Sequence, residues 1–492
     1  MMFDLWLQLL ILLPFATAAI VLTLGRFPNI REALSLGAGV MLIGIALWVY
    51  SNMGEMALVS IVWAEPVPGL SLSFKLDELG MLFILVATVL WPITTLYAIG
   101  YMRAHNEPRQ TTFFAWFAIA IGSTLAIALA ANLFTLFVFY EVLTLSTYPL
   151  VTHGRDEAAK KGGRTYLMIL LGTSITFLLP AIIGTWVMAG SLDFKEGGVF
   201  AADASVVQIS VLLALFVVGI GKAAIMPFHR WLPAAMVAPT PVSALLHAVA
   251  VVKAGAFAML KVCALIFGLD LLALLPASTW LAYLAALSIV IASVIALRED
   301  NLKRRLAYST IGQLNYITLG ALLATSSAFV GSAMHIAMHA FAKITLFFCA
   351  GAILVVSHKT RVSELTGLGR RMPLTMIAFF IGSLGIVGVP PTGGTWSKWY
   401  LLMGTLDSGQ WVLAIALMLS SLLSIVYLLA IPVRAFLPTG SETEAGWIPE
   451  RMSPMLLAIL LTSIATITLF FFPQTVFELA SAIVPAGGGH GR

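Results

Sequence analysis

Charge and cysteine are what this chain has least of. Only 10% of its 492 residues are Asp, Glu, Lys or Arg, where ordinary soluble domains carry about a quarter. With 60% hydrophobic residues and a mean hydropathy of +1.00, a soluble globular domain of this length is excluded, and a polytopic all-α integral membrane protein is predicted. The two cysteines, Cys263 and Cys349, both lie in apolar runs. They cannot build a disulfide framework, a Cys/His metal site or an iron-sulfur cluster, so both read as core packing. No dinucleotide fingerprint occurs in a strand-turn-helix setting, so the chain is not expected to bind nicotinamide or flavin. Neither cofactor nor metal is expected, and an enzyme with its own redox chemistry is excluded. The pI of about 9.2 comes from Lys and Arg scattered through short loops, without the basic arm or aromatic-interleaved patch of a nucleic-acid binder. The N-terminus has Asp4 where a signal peptide would be basic, and no small-residue cleavage site closes its apolar run, so a retained helix is expected.

At about 20 apolar residues per crossing, fourteen spans are predicted: 3–25, 32–51, 78–101, 111–130, 132–152, 164–190, 207–228, 240–268, 276–297, 303–325, 328–357, 372–403, 409–436 and 453–474. They form a single membrane domain over 1–492. The loops after odd-numbered spans hold nineteen of the 27 Lys and Arg residues, against Lys75 and Lys195 in the opposite loops. The positive-inside rule therefore puts both termini on the non-cytoplasmic side of the cell's inner (plasma) membrane. The segment from Asp193 to Ser205 and the polar stretch from Thr439 to Arg451 are the only sizeable loops expected, leaving no room for a soluble catalytic domain. Spans 7 and 12 are each interrupted, by Pro227 after Lys222 and by Pro390 and Pro391 ahead of Lys398. Paired Gly/Pro breaks at corresponding positions point to inverted repeats, placed at about 111–268 and about 276–436.

Charges inside the apolar spans carry the functional signal, because each costs about 2.5–3.5 kcal/mol on insertion scales. Lys222 and Lys253 flank the proline-rich break between spans 7 and 8; snorkelling stems are the alternative reading. Glu141, in FTLFVFYEVLTLSTYPLV, is the one acidic residue near the middle of a span, and Lys222 is its predicted partner. A protonated glutamate bonded to Thr144 or Ser146 is the alternative. Span 11 places His335, His339 and Lys343 at successive i, i+4 positions on one face, with about 6 Å of rise per step. Neutral histidines both donate and accept, so such a row suits proton passage. The H-x-x-x-H pair lacks the glutamate that zinc hydrolases place after the first histidine. His247 is a further candidate, although its spacing of six from Lys253 puts the two on different faces. Lys261, near a span end, is expected to snorkel, and Asp77 and Glu78 to cap span 3.

The strings NLFTLFVFYEVLTLSTYPLV, GKAAIMPFHRWLPAAMVAPTPVSALLHAVAVVKAG, RRLAYSTIGQLNYI and MHAFAKITLFFCAG resemble the antiporter-like membrane subunits shared by Mrp-type cation/proton antiporters and proton-pumping NADH:quinone oxidoreductases (complex I). The similarity runs over nearly the whole chain. It implies a glutamate-lysine pair on spans 5 and 7, a central lysine on span 8, a linking lysine on span 11 and a terminal charge on span 12, which here are Glu141, Lys222, Lys253, Lys343 and Lys398. The chain is most similar to the Mrp D subunit, since it ends soon after span 14 and carries Lys398 where the M subunit usually has glutamate. The function implied is a subunit of a hetero-oligomeric Na+/H+ antiporter, with other membrane subunits as partners and protons and Na+ as cargo. The alternatives are the pumping module of a complex I-type oxidoreductase, a membrane hydrogenase or an inorganic-carbon accumulation complex.

Overall fold

In a computed structural model, which describes residues 2–201, 204–438 and 450–483, the chain is a bundle of fourteen helical spans. They are, in order, Met2–Thr23, Pro28–Ser51, Glu78–Ala104, Gln110–Ala128, Leu133–Val151, Glu157–Ala189, Val206–Gly219 with its broken continuation, Thr240–Phe267, Pro276–Arg298, Leu302–Leu322, Ser326–Ser357, Pro373–Val387 with Gly394–Asp407, Trp411–Phe436 and Pro454–Phe471. Eleven of these are each long and apolar enough to cross a membrane. Spans 7 and 12 fall short because they are broken, and span 10 because Arg305, Gln313, Asn315 and several hydroxyl residues lower its hydropathy. Arg492 and residues 439–449 of the Thr439–Arg451 stretch lie outside the described residues.

Burial ranks the spans. Nearly all of span 8 is enclosed, 94% of its most apolar window, whereas spans 1, 2 and 14 are 39% enclosed. Spans 8 and 11 form the axis, and the others wrap them. Span 8 is also irregular: a helical turn over Thr240–Ala244 passes through a π-turn over Leu245–Val249 to a break at Ala250, then to the helix Val251–Val262. A Cβ added at Gly255 would lie 2.4 Å from the carbonyl carbon of Lys222. Only glycine lets span 8 press its backbone against the break of span 7.

Three expectations need correction. The connection between spans 2 and 3 is not a plain loop; it folds as an antiparallel hairpin of β1 (Ser60–Val67) and β2 (Leu70–Lys75), the one sheet among the described residues. Its turn uses Gly69 at φ +84°. The free edge of β2 is covered by the link between spans 4 and 5: Ala131 N donates to Ser73 O at 3.0 Å and Lys75 N to Leu129 O at 2.8 Å. Asn132 completes the clamp, donating to Ser71 O at 2.9 Å while its Oδ1 caps span 5 at Thr135 N. Alternation of short polar and apolar residues is a weak signal beside twenty-residue apolar runs, which is why the hairpin escapes a hydropathy reading. Span 6 begins at Glu157 rather than 164, capped by Asp156, so Lys160, Lys161 and Arg164 lie in its first turns and not in a loop. Span 7 stops being an α-helix at Gly219, eight residues ahead of Pro227.

Candidate functional site

The break of span 7 is built around Lys222, which is fully buried in the single 3-10 turn Gly221–Ala223. Its ammonium donates to Tyr140 O at 2.8 Å and Thr144 Oγ1 at 2.6 Å, and lies 3.0 Å from the centre of the Tyr140 ring. The Lys222 backbone N–H in turn donates to the Tyr140 hydroxyl at 3.0 Å. One lysine and one tyrosine thus lock the break of span 7 onto span 5.

The predicted ion pair with Glu141 is not formed. Neither carboxylate oxygen of Glu141 has a hydrogen-bond partner in the chain, although both are buried. Helix geometry is the reason: residues 140 and 144 share a face, while 141 is rotated by about 100° from 140. A lysine docked on Tyr140 and Thr144 therefore sits beside Glu141, not in front of it. Nor do Thr144 and Ser146 engage the glutamate; their hydroxyls turn back to Tyr140 O and Leu143 O, each at 3.1 Å.

Around span 11 the predicted residues are brought together, though not as a single file. Lys253 Nζ lies 2.7 Å from His339 Nδ1, joining span 8 to span 11. The His339 and His335 rings follow with centres 5.7 Å apart. His335 reaches Ser397 Oγ through Nδ1 at 2.9 Å and Gln313 Oε1 through Nε2 at 3.0 Å, and Tyr316 stacks on it. Ser397 precedes Lys398, whose ammonium donates to Ser421 Oγ at 2.9 Å and Val387 O at 3.2 Å and faces the Tyr316 ring at 4.7 Å. A row of titratable and hydroxyl groups therefore runs from the buried Lys253, His339, His335, Ser397 and Tyr316 to the half-buried Ser421 and Lys398.

Lys343 leaves this row. It lies on the predicted face of span 11, but its ammonium donates to Ser309 Oγ on span 10 at 2.8 Å, and the Tyr427 hydroxyl donates to the same oxygen at 3.2 Å. Tyr427 sits in a π-turn of span 13 and meets Ser424 at 2.9 Å. His247 joins neither branch; its two ring nitrogens have no partner in the chain, and its ring lies 4.6 Å from that of Phe347.

Lys261 does not snorkel. Its side chain is wholly buried, paired with Asp77 Oδ2 at 2.8 Å and donating to Ala130 O at 2.7 Å. Asp77 also caps span 3 through Gly80 N, as expected. Ser309, Gln313, Tyr316, Ser397, Ser421 and Tyr427 are the participants that sequence reasoning missed. For the first three the signal was present: Ser309, Gln313 and Tyr316 recur at i, i+4 and i+7 in RRLAYSTIGQLNYI, one polar face in an otherwise apolar span.

Comparison with known proteins gives a consistent picture. A family model described as "NADH:quinone oxidoreductase/Mrp antiporter, TM" matches residues 130–424, and one described as "NADH-Ubiquinone oxidoreductase (complex I), chain 5 N-terminus" matches residues 63–114. NADH-quinone oxidoreductase subunit N of Desulforudis audaxviator is 32% identical over 427 residues, covering 84% of each chain. The A/B component of a probable K(+)/H(+) antiporter of Rhizobium meliloti is 33% identical over 80% of this chain but only 39% of its own length, so this chain spans well under half of that relative. Among solved structures, a chain of the Mrp complex from Dietzia sp. superposes with a TM-score of 0.84 at 22% identity, covering 97% of this chain and 96% of that one, a likeness of fold.

Proposed function

The chain belongs to the NADH:quinone oxidoreductase/Mrp antiporter transmembrane family, and from that premise we propose that it is the D-type subunit of a hetero-oligomeric Na+/H+ antiporter, conducting protons through its buried lysines and histidines. The observation that carries the reading is the 2.7 Å contact between Lys253 and His339, continued by the His335 ring and then through Tyr316 and Ser421 to Lys398. Such a row has no packing rationale, since each buried ionisable group costs stability unless it is used. Spans 4 to 8 and 9 to 13 act as the two inverted repeats, each contributing one broken span and one lysine at the break. Glu141 is the charge that biases Lys222, acting at short range without a direct ion pair. Lys343 serves a side branch through Ser309 and Tyr427 within the second repeat, and His247 is a reserve proton acceptor in the π-turn of span 8. A lysine, Lys398, on span 12 is the residue that favours the D-type reading. Other membrane subunits complete the antiporter, in the inner membrane with both termini outside.

A second reading, a proton-pumping module of an oxidoreductase, is favoured by the even 84% coverage of the subunit N relative. Copurification in mild detergent with mass spectrometry separates the two: small Mrp-type membrane partners support the first, and iron-sulfur or flavin subunits the second. Within the isolated complex, reconstituted in vesicles, Lys253→Met and Glu141→Gln are expected to abolish acid-pulse-driven cation exchange with normal assembly. Wild-type exchange in both variants would sink the relay.

A further inference from the structure

We propose that the groove where spans 4, 5 and 6 meet, on the arginine-rich side of the bundle, binds one anionic phospholipid. Two cavities make it. The first, about 340 Å³, is lined by Arg109, Arg155 and Lys160 with Trp116 and Tyr148; the second, about 420 Å³, by Lys160 and Arg164 with Met168, Gly172 and Ile175. They share Tyr148 and Lys160, so a cationic bowl opens directly onto an apolar trough along span 6. That sequence of surfaces, charge and then hydrocarbon with an aromatic at the join, matches a phosphate headgroup and its acyl chains. A free phosphate has no use for the trough.

The bowl is shaped by its backbone. Arg109 and Arg155 are held at φ 54° and 58°, a left-handed conformation that a side chain adopts only where its surroundings impose it. Arg109 is fixed further by donating to the His153 carbonyl. Among the described residues no ion pair engages Arg155 or Arg164. Lys160 does meet Glu157 at 2.7 Å, but both side chains are more than half exposed, and such pairs are weak enough for a phosphate to displace. The trough has a notch: a Cβ at Gly172 would find nothing within 4 Å, and Met168 and Ile175 on either side are 68% and 57% exposed. An acyl chain fits that gap, and covers apolar surface that the chain itself leaves bare.

The test uses the whole complex, delipidated in mild detergent. Thermal midpoints are followed on titration with diphosphatidylglycerol, phosphatidylglycerol, phosphatidylcholine or inorganic phosphate, and native mass spectrometry counts retained lipid. The anionic lipids should raise the wild-type midpoint. Neutralising charges near an anionic headgroup weakens binding by roughly fivefold each, so the triple variant Arg155→Gln, Lys160→Gln, Arg164→Gln should bind about a hundredfold more weakly, while Arg155→Lys with Arg164→Lys retains the response. Gly172→Leu, which fills the notch with a better helix former and leaves the charges intact, should also weaken lipid binding. Unchanged titrations in both the triple variant and Gly172→Leu would overturn the site. So would an equal response to inorganic phosphate, which would mean an anion site only.

Discussion

Replacing Asp77 by Asn isolates the buried ion pair that ties span 3 to span 8. Asn keeps the volume and the Oδ1 that accepts from Gly80 N, so the helix cap survives. What is lost is the carboxylate charge 2.8 Å from the Lys261 ammonium, which is fully enclosed while Asp77 keeps 27% side-chain exposure. Breaking a buried pair costs about 3–5 kcal/mol because a charge is left unpartnered, and the partial exposure of Asp77 puts this case at the lower end. The Ala130 carbonyl at 2.7 Å and the Phe194 and Phe257 rings at 4.7 and 5.3 Å remain to the ammonium, and desolvated ring faces return about 1 kcal/mol. The expected net loss is therefore about 2–3 kcal/mol. Removing both charges, as Asp77→Asn with Lys261→Met, leaves a stem of similar length in an apolar site and should restore most of it. A double-mutant cycle in SDS-induced unfolding of the assembled complex measures the coupling. A single variant as stable as wild type, or a double variant no better than the single, would refute the reasoning.

Ser309→Ala removes the acceptor that Lys343 shares with the Tyr427 hydroxyl; exchange in vesicles should fall by about tenfold or more with assembly unchanged, an unmet buried donor costing about 1–3 kcal/mol, and normal exchange would detach Lys343 from conduction. His153, in the loop after span 5, has its pKa lowered by burial and by the neighbouring Arg109, against a smaller opposing bond to the Pro108 carbonyl. The unfolded chain then binds more protons there, so the stability this histidine contributes is complete above the ordinary histidine range near 6.5 and is lost as pH falls below it towards the lowered value. Complex carrying His153→Gln should lose less thermal stability than wild type between pH 7 and pH 5, and identical losses would remove His153 as the source.

Most of the fold could be read from the sequence because hydrocarbon enforces it: a segment that must satisfy its own backbone within the bilayer has to be a helix of about twenty residues. The lengths of spans 3, 8 and 11 followed from that constraint, and the prolines marked spans 7 and 12 as broken, although span 7 leaves the α-helix at Gly219, ahead of Pro227. The hairpin over residues 60–75 did not, since it lies where water relaxes the constraint. The positions of the buried charges were equally legible, and their partners were not. A spacing of i, i+4 put His335, His339 and Lys343 on one face, yet four neighbours claim them: Ser397 and Gln313 hold His335, Lys253 meets His339, and Ser309 accepts from Lys343. Partner choice depends on how spans 8, 10 and 12 are rotated against span 11, and rotation is set by packing such as the glycine contact at Gly255, which no single span encodes. Lys261 shows the same limit: its place near a span end suggested an interfacial stem, but the fold closes Phe194, Phe257 and Ala130 over it.

The lysines inside the spans divide by the kind of group that holds them. Lys261 is bound to a carboxylate, and deprotonating it would strand the charge of Asp77; it is suited to holding spans together. Lys222, Lys253, Lys343 and Lys398 are instead met by carbonyls, hydroxyls, a histidine and tyrosine rings. When its donor loses a proton a neutral acceptor is left uncharged, whereas a carboxylate is left as an unpaired charge, which costs about 3–5 kcal/mol when buried. These four can therefore change charge without leaving an orphaned anion in contact. At the two breaks the acceptor comes from the break or the span beside it. Val387 ends the first half of span 12, where unpaired carbonyls collect at the negative pole of the half-helix, and its oxygen receives Lys398; Lys222 projects from the corresponding gap in span 7 onto Tyr140. Closing the gap in span 12 would remove the carbonyl that receives Lys398, and closing that in span 7 would swing Lys222 off Tyr140 and Thr144, so each break and its lysine form one structural unit.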